Sequence, residues 1–279
     1  MNYILPEGSY PAEKRGGGKG CNLVVSLVHH YLMNYYENNY KELSINADSC
    51  AGQNKNKYVF YYLIWRVILG FENNIQLSFM LPGHTKSVVD GRFGLFKQIF
   101  SKVDTLDVAS IENVIKNACL NNYVHNCERN EINYYDWKSF LLQYFNKAGV
   151  PGIKYDVLQM HVQRKVIDME IHVTVHLKTS SLDSGYEWKE FMCLKKYKSR
   201  KQMFFKDVIN SYSLLQNFKL SARPIENDRK KYLINEILAK YYVNDELKAT
   251  FFNLQSVVEY NKLKQQMDKH QKKKMKMKT

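Results

Sequence analysis

Apolar residues recur at helical spacing in several stretches of the chain. Between residues 22 and 36 they occupy every third or fourth position, which predicts an amphipathic helix. Residues 58–69 are apolar on nearly every side, which predicts a buried helix, and Gly70 is well placed to end it. Helical patterns also occur at residues 90–102, where Asp90 is the predicted N-cap, and at residues 111–120, 135–148 and 228–238.

Alternating apolar and polar residues predict strands between these helices. Residues 42–47 and 75–81 alternate in this way, and each stretch leads into a polar loop. Further strands are predicted at residues 157–162, 167–177 and 187–195. Because the early strands alternate with helices, we expect an α/β fold whose sheet is at least partly parallel.

These patterns divide the chain into four parts. Residues 1–20 are rich in glycine and proline, which predicts a flexible leading segment. Residues 21–150 predict an α/β core, and residues 151–257 predict a smaller α+β region. Residues 258–279 form a basic tail that is rich in lysine.

Basic residues outnumber acidic residues by 41 to 27, which gives the chain a net charge of +14. Half of this excess lies at one end, since residues 262–279 hold eight lysines and one aspartate. A basic protein suits a polyanionic partner, and nucleic acid is the commonest one. The tail residues Lys272, Lys273 and Lys274 are therefore candidate phosphate contacts, although a solubilising tail has the same composition.

The sequence also argues against several classes of protein. No apolar run approaches the ~20 residues of a membrane-spanning helix, so a membrane protein is not expected. The first ten residues lack the basic and apolar regions of a secretory signal. Five irregularly spaced cysteines without a Cys-x-x-Cys pair predict reduced thiols. We therefore expect an intracellular protein, and a nuclear location is compatible with a nucleic-acid partner.

Two aspartates occur where a catalytic site is expected. Asp48 directly follows the predicted strand at residues 42–47, and Asp90 follows the strand at residues 75–81 and the loop that carries His84. Sites in open α/β sheets form outside the carboxyl ends of the strands. If these strands are parallel neighbours, Asp48 and Asp90 lie at one edge and can hold a pair of Mg²⁺ (or Mn²⁺) ions for phosphodiester cleavage.

Other side chains near that edge suit the same chemistry. His84 can carry a proton or contact phosphate. The candidate phosphate contacts are Lys55, Lys57, Lys86 and Arg92. A structural interpretation stays open, in which Asp48 caps a turn and Asp90 caps a helix. In that interpretation the loop amides satisfy backbone groups, namely Gln53, Asn54 and Asn56.

The residues around both aspartates resemble a known family. Its pattern is D-N-C-x-G-Q-N-K-N, then G-H-T-x(4)-D, then F-G-x-x-K. The matching stretches are residues 48–56, residues 82–90 and residues 93–97, with a weaker match at residues 135–138. The pattern resembles a eukaryotic domain of unknown function that recurs in mobile-element-like proteins and is similar to an RNase H-like transposase or integrase core. The resemblance covers roughly residues 12–255.

This resemblance implies a mixed sheet flanked by helices and metal-dependent chemistry on nucleic acid, with DNA favoured. Asp48 and Asp90 match the second and third acidic positions, and Lys97 is a further phosphate contact. Glu13 is the nearest substitute for the remaining acid, at a shifted spacing, and Ser49 replaces an asparagine. An RNase H-like core has its first catalytic aspartate on an opening strand. We expect that strand to be missing, so that the chain is a truncated or impaired copy.

Three functions are compatible with these observations. The first is a Mg²⁺-dependent nuclease or transposase. The second is a catalytically inactive nucleic-acid-binding protein derived from a mobile element, in which aromatic residues provide stacking faces. The third is an interaction or structural protein without a nucleic-acid partner. The sequence leaves activity, target sequence and oligomeric state open.

Overall fold

The computed structural model describes residues 1–11, 20–36, 40–80, 88–105, 107–127, 132–145, 157–167, 170–179, 187–191, 207–223, 225–233, 236 and 265. The chain divides into two compact units. The first, which we call the sheet unit, comprises residues 10–86 and 130–222. The second, which we call the small unit, comprises residues 1–9, 87–129 and 223–279.

The described helices follow one another in chain order as α1 (Cys21–Asn34), α2 (Lys57–Leu69), α3 (Val88–Phe100), α4 (Val108–Ala118), α5 (Trp137–Tyr144) and α6 (Asn227–Tyr232). A 3-10 helix, Ser211–Phe218, precedes α6. The strands are β1 (Asn2–Ile4), β2 (Glu42–Ala47), β3 (Asn74–Phe79), β4 (Val124–Asn126), β5 (Tyr134–Tyr135), β6 (Val157–Ile167), β7 (Glu170–Thr179), β8 (Glu187–Phe191) and β9 (Lys219–Leu220). None of the helices in the described ranges is long and apolar enough to cross a membrane.

The sheet unit is built on a five-stranded sheet with the strand order β2-β3-β6-β7-β8. Strands β2 and β3 are parallel, whereas β6 is antiparallel to β3, β7 to β6 and β8 to β7. The predicted mixed α/β class with partly parallel pairing is thus confirmed. Because β6 pairs with the second side of β3, strand β3 is a central strand and not an exposed edge.

Helix α2 provides the crossover that two parallel strands require. Residues 60–68 of this helix are all buried, which confirms the prediction of a buried helix. It ends at Gly70, which has a φ of 78°. Glycine adopts this left-handed conformation without the clash of a Cβ atom, so the predicted helix stop is also confirmed.

The sheet buries one of its two faces. Apolar side chains such as Ile75, Met160 and Val162 are fully buried in the core that includes α2. Alternate residues project to the opposite face, which is polar. These residues include Ser44, Asn46, Asn74, Gln76, Ser78, Gln159, His161, Gln163, His172, Thr174 and His176. Such alternation is typical of a sheet with one solvated face.

Two ionisable groups of the core lie among aromatic rings. Arg66 of α2 is 2% exposed and forms an ion pair with Glu72, which is 1% exposed. His29 of α1 is buried as well, and its Nδ1 lies 3.2 Å from the hydroxyl oxygen of Tyr62. The ring of His29 packs against Trp137, with 5.1 Å between ring centroids. These groups connect α1, α2 and α5 inside the sheet unit.

The small unit contains a two-stranded parallel sheet of β1 and β4. Helix α4 begins at its N-cap Asp107, whose Oδ1 accepts the backbone N–H of Ser110 at 2.7 Å. Hydrogen bonds from Ser110 lower the pKa of Asp107 below its usual value. Glu7 and Arg229 form an exposed ion pair with an Nε–Oε1 distance of 2.9 Å, which joins the segment after β1 to α6.

Some boundaries differ from the sequence prediction. Helix α3 begins at Val88, so the prediction of Asp90 as N-cap is wrong, and this residue lies within the first turn. Tyr135 belongs to β5, and α5 begins only after the N-cap Asp136. Strand β1 was not predicted, because three residues are too few to show alternation. The predicted ends at residues 81, 146–148, 192–195 and 237–238 lie outside the described residues.

Candidate functional site

Strands β2 and β3 end side by side. Ala47, the last residue of β2, is paired with Phe79, the last residue of β3. Met80 donates its backbone N–H to the Ala47 carbonyl oxygen at 3.0 Å, and Ser49 Oγ donates to the Met80 carbonyl oxygen at 3.0 Å. These bonds hold the loop at residues 48–56 at the carboxyl edge of the parallel pair, where α/β sheets form their sites.

Asp48 is the first residue after β2, and it is exposed. Its Oδ1 accepts the backbone N–H of Cys50 at 3.1 Å and the side-chain Nδ2 of Asn54 at 2.6 Å. The bond to Cys50 is an Asx turn, as the structural interpretation of the sequence predicted. Both bonds reach Oδ1, so within the described residues Oδ2 keeps its lone pairs for a further ligand.

The loop after Asp48 is held by its own backbone. The carbonyl oxygen of Cys50 accepts three backbone N–H groups. The donors are Gln53 at 3.2 Å, Asn54 at 2.8 Å and Lys55 at 3.0 Å. These bonds fix the position of Asn54, whose side chain in turn holds the Asp48 carboxylate. Asp48 is therefore presented by an ordered turn that orients its side chain.

Asn56 joins this loop to helix α2. Its Oδ1 accepts the backbone N–H groups of Tyr58 at 3.0 Å and Val59 at 3.2 Å. Its Nδ2 donates to the carbonyl oxygens of Ala51 at 3.3 Å and Gln53 at 3.0 Å. The expectation that loop amides satisfy backbone groups is thus confirmed for Asn56. Asn54, by contrast, uses its amide to bind Asp48.

Replacing Asn56 with alanine is expected to lower the free energy of unfolding by about 1–2 kcal/mol. Two N–H groups of the first helical turn and two loop carbonyls lose their partner. Asn56→Asp keeps the acceptor and is expected to lose less. Urea denaturation followed by circular dichroism measures both variants. If Asn56→Ala is no less stable than Asn73→Ala, which truncates an exposed asparagine of the next loop, the cap does not stabilise the fold.

Two of the predicted phosphate contacts, Lys55 and Lys57, lie at the start of α2. Lys55 is 7% exposed, and its Nζ lies 5.0 Å from the centre of the Phe79 ring. Lys57 is half-exposed, and its Nζ lies 5.1 Å from the centre of the Tyr58 ring. Lys138 of α5 places a second ammonium group 5.9 Å from the same ring. We refer to Lys57, Tyr58 and Lys138 as the lysine–tyrosine cluster.

Sequence reasoning did not select Lys138 as a candidate site residue. Its only signal was the weaker family match at residues 135–138. The tertiary structure places it, because Asn22 of α1 binds the start of α5 from two sides. The Oδ1 of Asn22 accepts the backbone N–H of Lys138 at 3.0 Å, and its Nδ2 donates to Oδ1 of Asp136 at 3.0 Å.

The other predicted site residues that the structure describes lie on α3 of the small unit. Asp90, Arg92 and Lys97 are all exposed, and Nη1 of Arg92 lies 3.5 Å from Sγ of Cys119. Asp48 belongs to the sheet unit, so the pairing of Asp48 with Asp90 stays a prediction. The remaining candidates lie outside the described residues: Glu13, His84, Lys86, Lys272, Lys273 and Lys274.

Asp48 has the chemistry of a magnesium ligand. Mg²⁺ prefers oxygen ligands, takes one or two protein carboxylates and keeps several water molecules. An exposed carboxylate with one uncommitted oxygen fits these requirements. In the described part of the chain, including the surroundings of Asp48, His, Cys, Asp and Glu side chains form no group of three or more that suits a metal ion.

The fold is that of a mixed α/β protein, and its candidate site is the loop that follows the first of its two parallel strands. Residues 17–183 match a family described as a domain of unknown function (DUF7869). The match spans more than half of the 279 residues, so the chain belongs to this family. The expected resemblance to a domain of unknown function is confirmed at this level, while its mobile-element and RNase H-like parts stay predictions. Comparisons with curated proteins and with solved structures each gave no match.

Proposed function

We propose that the chain has an RNase H-like core of mobile-element origin and performs metal-dependent phosphodiester chemistry on nucleic acid, as an impaired relative of a transposase, integrase or nuclease. The observation that best supports this proposal is the exposed Asp48 carboxylate at the carboxyl edge of two parallel strands. Carboxylates at such an edge can hold the ions of a metal-dependent phosphodiester enzyme.

In this proposal each acidic residue has a distinct role. Asp48 binds Mg²⁺ (or Mn²⁺) through Oδ2, while Oδ1 keeps its bonds to Cys50 and Asn54. Asp90 supplies a second carboxylate, and Glu13 substitutes for the remaining acid. The bound ions supply Lewis acidity for an attacking water and a leaving oxygen. His84 carries the proton that this reaction moves.

Basic side chains provide the contact to nucleic acid, with DNA as the favoured partner. The net charge of +14 attracts a polyanion. The proposed phosphate contacts are Lys55, Lys57, Lys86, Arg92, Lys97, Lys272, Lys273 and Lys274. Of these, Lys57 has the best-defined surroundings, because it lies half-exposed in the lysine–tyrosine cluster.

A catalytically inactive nucleic-acid-binding protein is the second candidate, and the lysine–tyrosine cluster favours it. Two ammonium groups lie 5.1 and 5.9 Å from the centre of the Tyr58 ring. Positive charge beside an aromatic ring is the combination with which proteins bind single strands. This function requires no metal ion and no second carboxylate, so it predicts salt-sensitive binding without cleavage.

Incubation with a labelled oligonucleotide and Mg²⁺ or Mn²⁺ is expected to give metal-dependent cleavage. Asp48→Asn is expected to lower the rate by about 100-fold or more, because a neutral amide binds the ion poorly and several kcal/mol of transition-state stabilisation are lost. Gel separation of the labelled products measures the rate, and binding of the same oligonucleotide in EDTA measures affinity separately.

Asp207→Asn is the matched control for this experiment. Asp207 is exposed in the sheet unit and belongs to no proposed site, so cleavage should be unchanged. Cleavage that is equally fast in Asp48→Asn contradicts the catalytic role of Asp48. If wild type and both variants bind the oligonucleotide without cleaving it, and added salt weakens that binding, the result supports the catalytically inactive nucleic-acid-binding protein. Absence of both binding and cleavage contradicts both candidates.

A further inference from the structure

Two histidines meet on the polar face of the sheet. His161 of β6 and His176 of β7 are direct partners in the antiparallel register. Their ring centroids lie 6.4 Å apart, with an angle of 40° between the ring planes. Residues directly opposite each other in antiparallel strands project from the same face within contact distance. The pairing of β6 with β7, which is continuous from Gln159 to Ile167, therefore sets the position of this pair.

A hydrogen bond orients one of the two rings. Nε2 of His161 is bonded to Oδ1 of Asn74, which lies on the neighbouring strand β3. An amide oxygen only accepts, so this bond assigns the proton of the neutral ring to Nε2 and the lone pair to Nδ1. Histidines that bind metals commonly donate their second ring N–H to an oxygen in this way. Such a bond fixes the tautomer and strengthens the ligating nitrogen.

We propose that His161 and His176 together bind one divalent transition-metal ion of the class Zn²⁺, Ni²⁺ or Cu²⁺. Imidazole nitrogen suits these ions, whereas Mg²⁺ takes oxygen ligands. Two imidazoles that hold an ion at 2.0–2.1 Å with tetrahedral geometry have ring centroids about 5 Å apart. The ring centroids are now 6.4 Å apart, so binding an ion requires the two rings to move closer together.

Water completes the coordination of this ion. No third His, Cys, Asp or Glu in the described ranges joins the two histidines as a ligand group. The site is therefore a two-nitrogen chelate on a strand pair, which makes binding reversible. The site requires both histidines, because a single imidazole cannot chelate an ion.

This site is separate from the one proposed at Asp48. His161 is paired with Gln76 in the middle of β3, whereas Asp48 follows the carboxyl end of β2. The two sites also select different ions, since one offers imidazole nitrogen and the other a carboxylate oxygen. Failure of one proposal therefore leaves the other standing.

Titration of the tag-free full chain with Ni²⁺ by calorimetry tests the proposal. Wild type is expected to bind one ion through the pair, and His176→Gln is expected to bind it at least about tenfold more weakly. Asn74→Ala removes the bond that orients His161 and is expected to weaken binding by about tenfold. His172→Gln is the matched control, because His172 lies on the same face of β7 opposite Lys165 and should leave the affinity unchanged.

Two further measurements complete the test. Excess Ni²⁺ should raise the melting temperature of wild type and His172→Gln but not of His176→Gln, because the ion binds the paired strands and not the unfolded chain. The electron paramagnetic resonance spectrum of Cu²⁺ bound to wild type should show two nitrogen ligands, a result that needs no variant. Equal Ni²⁺ affinity in His176→Gln, equal loss in His172→Gln, or a Cu²⁺ spectrum without two nitrogens overturns the proposal.

Discussion

Replacing Glu72 with alanine is expected to lower the free energy of unfolding by about 3–5 kcal/mol. Arg66 is 2% exposed and donates Nε to Oε2 at 2.9 Å and Nη2 to Oε1 at 2.5 Å. The contacts that remain are neutral, such as the Tyr62 hydroxyl 3.3 Å from Nη1 and the Phe71 ring 4.8 Å from Cζ. They cannot replace a carboxylate. A buried guanidinium has lost its hydration, and without a counterion nothing compensates for that loss.

The double variant Arg66→Met with Glu72→Leu separates charge from packing. It removes both charges and keeps apolar volume, so it is expected to be far more stable than Glu72→Ala. Urea denaturation of wild type and both variants gives the three free energies. A loss below about 1 kcal/mol in Glu72→Ala would contradict the importance of the ion pair. A double variant as unstable as Glu72→Ala would assign the loss to packing instead.

Acidification is expected to destabilise the fold through His29. Burial first, and then the positive charge of Arg66, lower the pKa of His29 from 6.5 to about 3. Between these values the unfolded chain binds a proton on this imidazole and the folded chain does not. The contribution of His29 to stability is therefore complete above pH 6.5 and absent below about pH 3. Within this window, stability falls by about 1.4 kcal/mol for each unit of decreasing pH.

Urea denaturation at about pH 7 and about pH 5 measures this effect. His29→Gln keeps a group that can bond to the Tyr62 hydroxyl but does not titrate, so its stability should fall less steeply than that of wild type. His172→Gln changes an exposed histidine of β7 and should keep the wild-type slope. Parallel pH profiles for wild type and His29→Gln would show that another group is responsible.

The elements that the sequence predicted best are those with a local cause. Strand β2 has the predicted bounds of residues 42–47, because its alternation is visible in six consecutive residues. Gly70 ends α2 as predicted, because the residue itself permits a φ of 78°. The error at Tyr135 has a distant cause. Strand β5 exists because it pairs with Lys219–Leu220, and this pairing overrides the local helical pattern.

The candidate site shows the same division between features with a local cause and features with a distant cause. The position of Asp48 at a strand end follows from the alternation before it. The sequence does not indicate that Asn54 holds its carboxylate, or that Lys55 is covered and lies against Phe79. The sequence near each histidine also does not show that His161 lies opposite His176. A shift of one residue in the pairing register of β6 and β7 would place the two rings on opposite faces.

By itself, the sequence determined the α/β class, the bounds of β2 and the buried character of α2, because the periodicity of apolar side chains is encoded by near neighbours. It also determined the excess of positive charge. The tertiary structure alone decided which strands are neighbours, that β6 covers the second side of β3, and which loop side chains hold Asp48. These outcomes depend on burial and hydrogen bonding between segments that are far apart in the chain. The pattern within a short stretch of residues does not show which distant segments will make these contacts.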